Sequence, residues 1–87
     1  MLINSSNDDF SIFPNPANCY TEIMVPASWS KGNMNVKLMD IAGRSIRKMN
    51  VANTASFRID LDGVAPGMYQ VVISNDSEQS AIKLIVQ

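Results

Sequence analysis

Few side chains in this sequence are of the kinds that perform nucleophilic or acid–base chemistry. The 87 residues contain no histidine and a single cysteine, Cys19. The lack of histidine excludes the Ser-His-Asp and Cys-His mechanisms and every histidine-based metal site. Cys19 has no neighbouring base in the sequence that would activate its thiol, so we interpret it as a small packed hydrophobic residue.

Asp60 and Asp62 flank Leu61 and precede Gly63, so their carboxylates can project from the same side of an extended segment. Calcium ligands or the carboxylate pair of a glycosidase could be placed in this way. An EF-hand loop starting at Asp60 needs a glutamate at its twelfth position, where Val71 offers no side-chain oxygen. We therefore favour a turn at this acidic corner, and we predict no catalytic residue, no metal and no cofactor.

Three aromatic residues, Trp29, Tyr20 and Tyr69, suggest a flat platform that binds a sugar. Aromatic residues make up only 7% of the chain, which favours core or edge packing instead. Trp29 lies between Pro26 and Gly32, in a predicted loop where a large indole can stay exposed.

The length and composition predict one small folded domain. We assign residues 10–87 to this domain and residues 1–9 to a linker or an added N-terminal remnant, because residues 4–9 are polar. The net charge of −1 argues against nucleic acid as a partner, and no apolar run approaches the roughly 18 residues that cross a bilayer. The first residues lack a signal-peptide pattern, so an exported protein would require a longer precursor.

Short β-favouring runs separated by turn residues predict an all-β fold, an antiparallel immunoglobulin-like β-sandwich of about seven strands. The predicted strands cover residues 10–13, 19–25, 33–39, 44–50, 57–61, 68–74 and 82–86. Residues 40–43 predict a hairpin turn, and the turn signals at 62–63 and 66–67 predict a crossing between sheets. The last run is apolar on both faces except at Lys83, which is typical of a strand buried on most sides.

Four motifs follow one another along the sequence: FSIFPNPA at residues 10–17, VKLMDIAGR at 36–44, LDGVAPGMYQVVI at 61–73 and KLIV at 83–86. Together they resemble the type IX secretion (Por secretion system) C-terminal sorting domain of the Bacteroidetes. The sequence departs from the family pattern in having Phe13 where tyrosine is commoner, one lysine before the final aliphatic residues, and Gln87 where a basic residue often ends the chain.

The resemblance implies a C-terminal secretion signal that is not an enzyme. It implies that the domain folds in the periplasm, that the outer-membrane type IX translocon recognises it, and that an N-terminal cargo domain of the same precursor is carried out. A surface sortase then cuts in the preceding linker, and the cargo is secreted or stays at the cell surface, attached to lipopolysaccharide.

The resemblance also suggests roles for individual residues. We predict that the translocon contacts the last residues by strand addition at an unpaired sheet edge. These residues are Lys83, Leu84, Ile85, Val86 and Gln87. The equally weighted alternative is that Ile82, Leu84 and Val86 complete the core. Other motif residues are expected to be mainly structural: Phe13, Pro14, Asn15, Pro16, Asp40, Gly43, Arg44, Gly67 and Tyr69.

The sequence leaves open two other classes of protein beside the sorting signal. An accessory extracellular carbohydrate-binding or adhesin-type sandwich predicts an exposed aromatic cluster around Trp29. An enzyme predicts a deep pocket with converging carboxylates.

Overall fold

The computed structural model describes residues 10–87, so the predicted linker at residues 1–9 lies outside the described part. Within it the chain forms seven strands and no helix. The strands are β1 (Ser11–Phe13), β2 (Tyr20–Met24), β3 (Asn33–Asp40), β4 (Ser45–Ala52), β5 (Ser56–Asp60), β6 (Gly67–Ser74) and β7 (Gln79–Val86). These bounds lie within a few residues of the predicted ones.

The strands form two antiparallel sheets. One sheet has three strands in the order β1-β2-β5, and the other has four in the order β4-β3-β6-β7. The hairpin between β3 and β4 is present, and the chain crosses between the sheets from β5 to β6. The predicted all-β immunoglobulin-like sandwich is therefore confirmed.

Alternating side chains fill the space between the sheets. In β3, Met34, Val36 and Leu38 are buried while the residues between them are exposed. β2 and β6 alternate in the same way, because neighbouring side chains of a strand point to opposite faces and only the apolar set gains by leaving water. This period of two gives each sheet one buried face.

The final strand differs from its prediction. β7 pairs with β6 and lies at the edge of the four-stranded sheet. Leu84 and Val86 are buried, whereas Ala81, Lys83 and Ile85 are exposed. The prediction that this strand is buried on most sides is wrong, because nothing in the described chain covers the outer face of the sheet. Two residues of β7 on that face, Ala81 and Ile85, are apolar although they are exposed.

The hairpin between β3 and β4 is held by Asp40. Its Oδ1 accepts hydrogen bonds from the Ala42 N–H at 3.0 Å and the Arg44 N–H at 2.9 Å, and its Oδ2 accepts one from Arg44 Nε at 3.1 Å. Gly43 has a φ of 90°, a conformation that glycine adopts without steric cost. The backbone hydrogen bond from Arg44, helped by the Arg44 guanidinium, lowers the pKa of Asp40 from its usual 3.8 despite partial desolvation.

Candidate functional site: the terminal strand and its cover

The segment after β1, residues 14–17, runs along the outer edge of β7, and we call it the strap. The Asn15 side chain makes two hydrogen bonds with this edge. Its Nδ2 donates to the Lys83 carbonyl at 3.0 Å, and its Oδ1 accepts from the Ile85 N–H at 3.0 Å. The amide of Asn15 thus takes the place of a peptide group on a neighbouring strand.

Ala17 continues this contact with its own backbone. Its N–H donates to the Ile85 carbonyl at 2.8 Å, and its carbonyl accepts from the Gln87 N–H at 2.8 Å. Ala17 and Val86 form a parallel bridge, and the Ala17 side chain is 1% exposed. The strap therefore occupies backbone groups from Lys83 to the end of the chain.

The strap is also bound to the other sheet. Thr21, a fully buried residue of β2, donates its hydroxyl hydrogen bond to the Pro14 carbonyl at 3.0 Å. Pro14 and Pro16 have no N–H, so the strap cannot itself continue a ladder of backbone hydrogen bonds beyond this edge. The strap thus connects β2 of the three-stranded sheet to β7 of the four-stranded sheet.

The prediction that residues 83–87 offer unpaired backbone groups is wrong for the groups that the strap occupies. The Pro-Asn-Pro motif was the sequence signal for the strap, but on its own this motif indicates only a turn. The contact joins residues 68 and 70 positions apart in the chain, which local patterns do not reveal. Recognition of this segment by a partner stays a prediction.

The side chains of the terminal segment point to two sides. Leu84 and Val86 lie in the core, as the packing alternative predicted. Lys83, Ile85 and Gln87 are exposed. What this strand presents to a partner is thus a row of alternate side chains, one cationic, one apolar and one amide.

The other motif residues lie in turns or at strand ends. Tyr69 is buried and its hydroxyl donates a hydrogen bond to the Ala65 carbonyl, which fixes the loop before β6. Gly67 begins β6 opposite Val86. Phe13 ends β1 with its ring about half exposed.

The aromatic platform is not formed around Trp29. The indole is 2% exposed and packs edge-to-face on Phe10, with ring centroids 5.0 Å apart. Tyr69 is buried, and the ring of Tyr20 is covered by the Arg58 guanidinium at 4.1 Å. The carbohydrate-binding alternative predicts an exposed indole at Trp29, and this prediction is wrong. Phe10 gives the loop tryptophan an apolar partner.

The remaining candidates for chemistry are dispersed. Cys19 is exposed, so its interpretation as a packed residue is wrong. Within residues 10–87 no three Cys, Asp or Glu side chains approach closely enough to hold a metal ion. The same part of the chain contains no helix long and apolar enough to cross a bilayer.

A shallow groove of about 310 Å³ lies on the outer face of the four-stranded sheet, beside the exposed side chains of β7, and we call it the outer groove. It is lined chiefly by Met39, Ile41, Met68, Gln70 and Lys83. Ile41 is 86% exposed and Met68 is 50% exposed. This surface was not predicted from the sequence, where its signals are apolar residues at a turn and at outward strand positions.

A comparison with known protein families identifies a family that covers the whole sandwich. The family model described as the secretion system C-terminal sorting domain matches residues 11–87, which include all seven strands. No curated protein matches the sequence. The matched family consists of sorting signals and is not an enzyme family; its members follow an N-terminal cargo, are recognised by the secretion machinery, and direct export to the cell surface or the medium. The chain belongs to the type IX secretion C-terminal sorting domain family.

Proposed function

We propose that the outer-membrane type IX translocon recognises this domain as a folded unit in the periplasm and exports the cargo attached to its N-terminus. The observation that carries this proposal is the family match over residues 11–87. The two-sheet core supports recognition of a folded unit, because side chains far apart in the sequence reach one surface only after folding.

We further propose that the translocon reads residues 83–87 through the side chains of Lys83, Ile85 and Gln87. The strap already occupies backbone groups of this segment, so strand addition there would first have to displace Asn15 and Ala17. The exposed side chains need no such displacement. A side-chain readout is therefore the less costly of the two modes.

A surface sortase then removes the domain by cutting in the linker at residues 1–9, and the cargo is released or attached to lipopolysaccharide. Phe10, the first described residue, is buried against Trp29. A cut before Phe10 leaves this packing intact. The position of the cut within the linker is best determined by mass spectrometry of the released domain.

The export function is tested by fusing the whole chain behind a fluorescent protein that carries an N-terminal export signal. The fusion is produced in a host with type IX secretion and in the same host with its translocon disabled. We expect fluorescence at the surface or in the medium only in the first host. A folded, intact fusion that stays in the periplasm of both would refute the proposal.

The contact residues are tested without deleting the strand, because Leu84 and Val86 belong to the core. The triple variant Lys83→Ala, Ile85→Ser, Gln87→Ala removes only exposed side chains. We expect it to fold and to lose export. A matched triple variant elsewhere on the surface, Lys31→Ala, Met24→Ser, Asn18→Ala, should be exported normally.

A further inference from the structure

The outer groove is an apolar depression on a part of the sheet that nothing in the described chain covers. Ile41, at the turn after β3, and Met68, opposite Ile85 on β7, supply its exposed apolar side chains. An exposed apolar surface that is rimmed by polar groups commonly marks an interaction site. Lys83 and Gln70, which are cross-strand partners, form part of that rim.

Two further lysines lie on the same face of the sheet, outside the lining of the groove. Lys37 and Lys48 lie directly opposite each other on β3 and β4, an arrangement that destabilises a sheet when no anion is near. Neither they nor Lys83 have a carboxylate partner within residues 10–87. Asp40, at the edge of the groove, is already engaged by Arg44.

The three lysines share the outer face. Lys37 pairs across β3 and β6 with Val72, and the next outward residue of β3, Met39, pairs with Gln70, which in turn pairs with Lys83. With strands about 4.8 Å apart and same-face residues about 7 Å apart along a strand, the backbones of Lys37 and Lys83 are about 12 Å apart. Two carboxylates three or four residues apart on an extended chain span this distance.

We propose that the outer groove and the lysines beside it bind an acidic polypeptide segment of the secretion machinery, with an apolar side chain of that segment seated against Ile41 and Met68. The charge of the three lysines selects acidic residues, and the groove selects the apolar one. The inference rests on the proposed function and specifies the chemistry of the partner surface that would read Lys83.

The test uses single variants of the same exported fusion. Lys83→Glu reverses the charge at the groove, and Ile41→Ser removes its most exposed apolar side chain. The matched controls are Lys31→Glu, in the loop before β3, and Met24→Ser, on the other sheet. Lys83→Arg retains the charge. Thermal unfolding of each purified variant checks that the fold is preserved.

We expect Lys83→Glu and Ile41→Ser each to reduce the exported fraction about tenfold, as loss of a central contact in an interface does. Lys83→Arg and both controls should be exported like the wild type. Normal export of Lys83→Glu and Ile41→Ser, beside an exported wild type, would overturn the inference and the readout of Lys83, and would leave the proposed export of the cargo standing. A wild-type fusion retained in the periplasm would refute the proposed function, and the inference with it.

A membrane surface is the other occupant with matching charge, and it is tested separately. The purified chain is sedimented with vesicles of anionic phosphatidylglycerol and with vesicles of neutral phosphatidylcholine. We expect no binding to either, because a polypeptide is the proposed ligand. Binding to the anionic vesicles that Lys83→Glu abolishes would overturn the assignment of a polypeptide partner.

Discussion

The hydrogen bonds of the strap allow the stability effect of a substitution at Asn15 to be predicted. Asn15→Ala removes the two side-chain hydrogen bonds to Lys83 and Ile85. Each intramolecular hydrogen bond contributes about 0.5–1.5 kcal/mol net, and the lower half of that range applies here because water reaches this exposed edge. We therefore expect the free energy of unfolding to fall by about 1–2 kcal/mol, which in a domain of this size lowers the melting temperature by about 4–16 °C.

The same substitution should change how the domain associates. Once Asn15 is removed, the Lys83 carbonyl and the Ile85 N–H become available to a strand of another copy. Unpaired groups at a sheet edge favour such pairing. We expect a concentration-dependent dimer of Asn15→Ala in analytical ultracentrifugation, at concentrations where the wild type is a monomer.

The control for both effects is Asn18→Ala, which changes a neighbouring exposed asparagine outside these contacts with β7. Urea unfolding gives the stability of each variant, and sedimentation gives its association state. If Asn15→Ala and Asn18→Ala unfold at the same urea concentration and neither dimerises, the strap does not stabilise or protect the terminal strand as we infer.

Three further predictions concern the core and the turns. Thr21→Val removes the buried hydroxyl that donates to the Pro14 carbonyl and should lower the unfolding free energy in urea by about 1 kcal/mol; an unchanged value contradicts this role. Trp29→Ala should lower the unfolding free energy by about 3–5 kcal/mol, because the indole is buried. The tryptophan emission of the wild type should be blue-shifted and poorly quenched by acrylamide. Red-shifted, readily quenched emission would place the indole in water. Folding lowers the pKa of Asp40, so its carboxylate stabilises the fold above pH 3.8, and this stabilisation is lost as the pH falls through the lowered pKa. The difference in unfolding free energy between the wild type and Asp40→Asn should therefore shrink over that pH range. A difference that stays constant down to lower pH contradicts this role of Asp40.

Local patterns predicted much of the fold. The alternation of Met34, Val36 and Leu38 identified β3, and Asp40 with Gly43 identified the hairpin that follows it. These features could be predicted because a strand with one buried face repeats every two residues, and because a tight turn requires particular residues at fixed positions.

Features that depend on distant contacts were not predictable in the same way. Ile85 is apolar and exposed, so hydrophobicity alone gave the wrong environment for β7. Trp29 is buried in the core, where Phe10, 19 positions earlier, packs edge-to-face on its ring. Asn15 follows β1 in sequence but completes an edge formed by the last residues of the chain. In each case the tertiary arrangement decides which neighbour is available.

The most direct test of the proposed sorting function compares three fusions in one host with type IX secretion: the wild-type chain, the Lys83→Ala, Ile85→Ser, Gln87→Ala variant, and the matched Lys31→Ala, Met24→Ser, Asn18→Ala variant. The measurement is the fraction of cargo fluorescence outside the outer membrane. We expect the wild type and the matched variant to be exported, and the terminal-strand variant to accumulate in the periplasm as a folded protein. Export of all three would contradict readout through the terminal side chains, and export of none would contradict the sorting function itself.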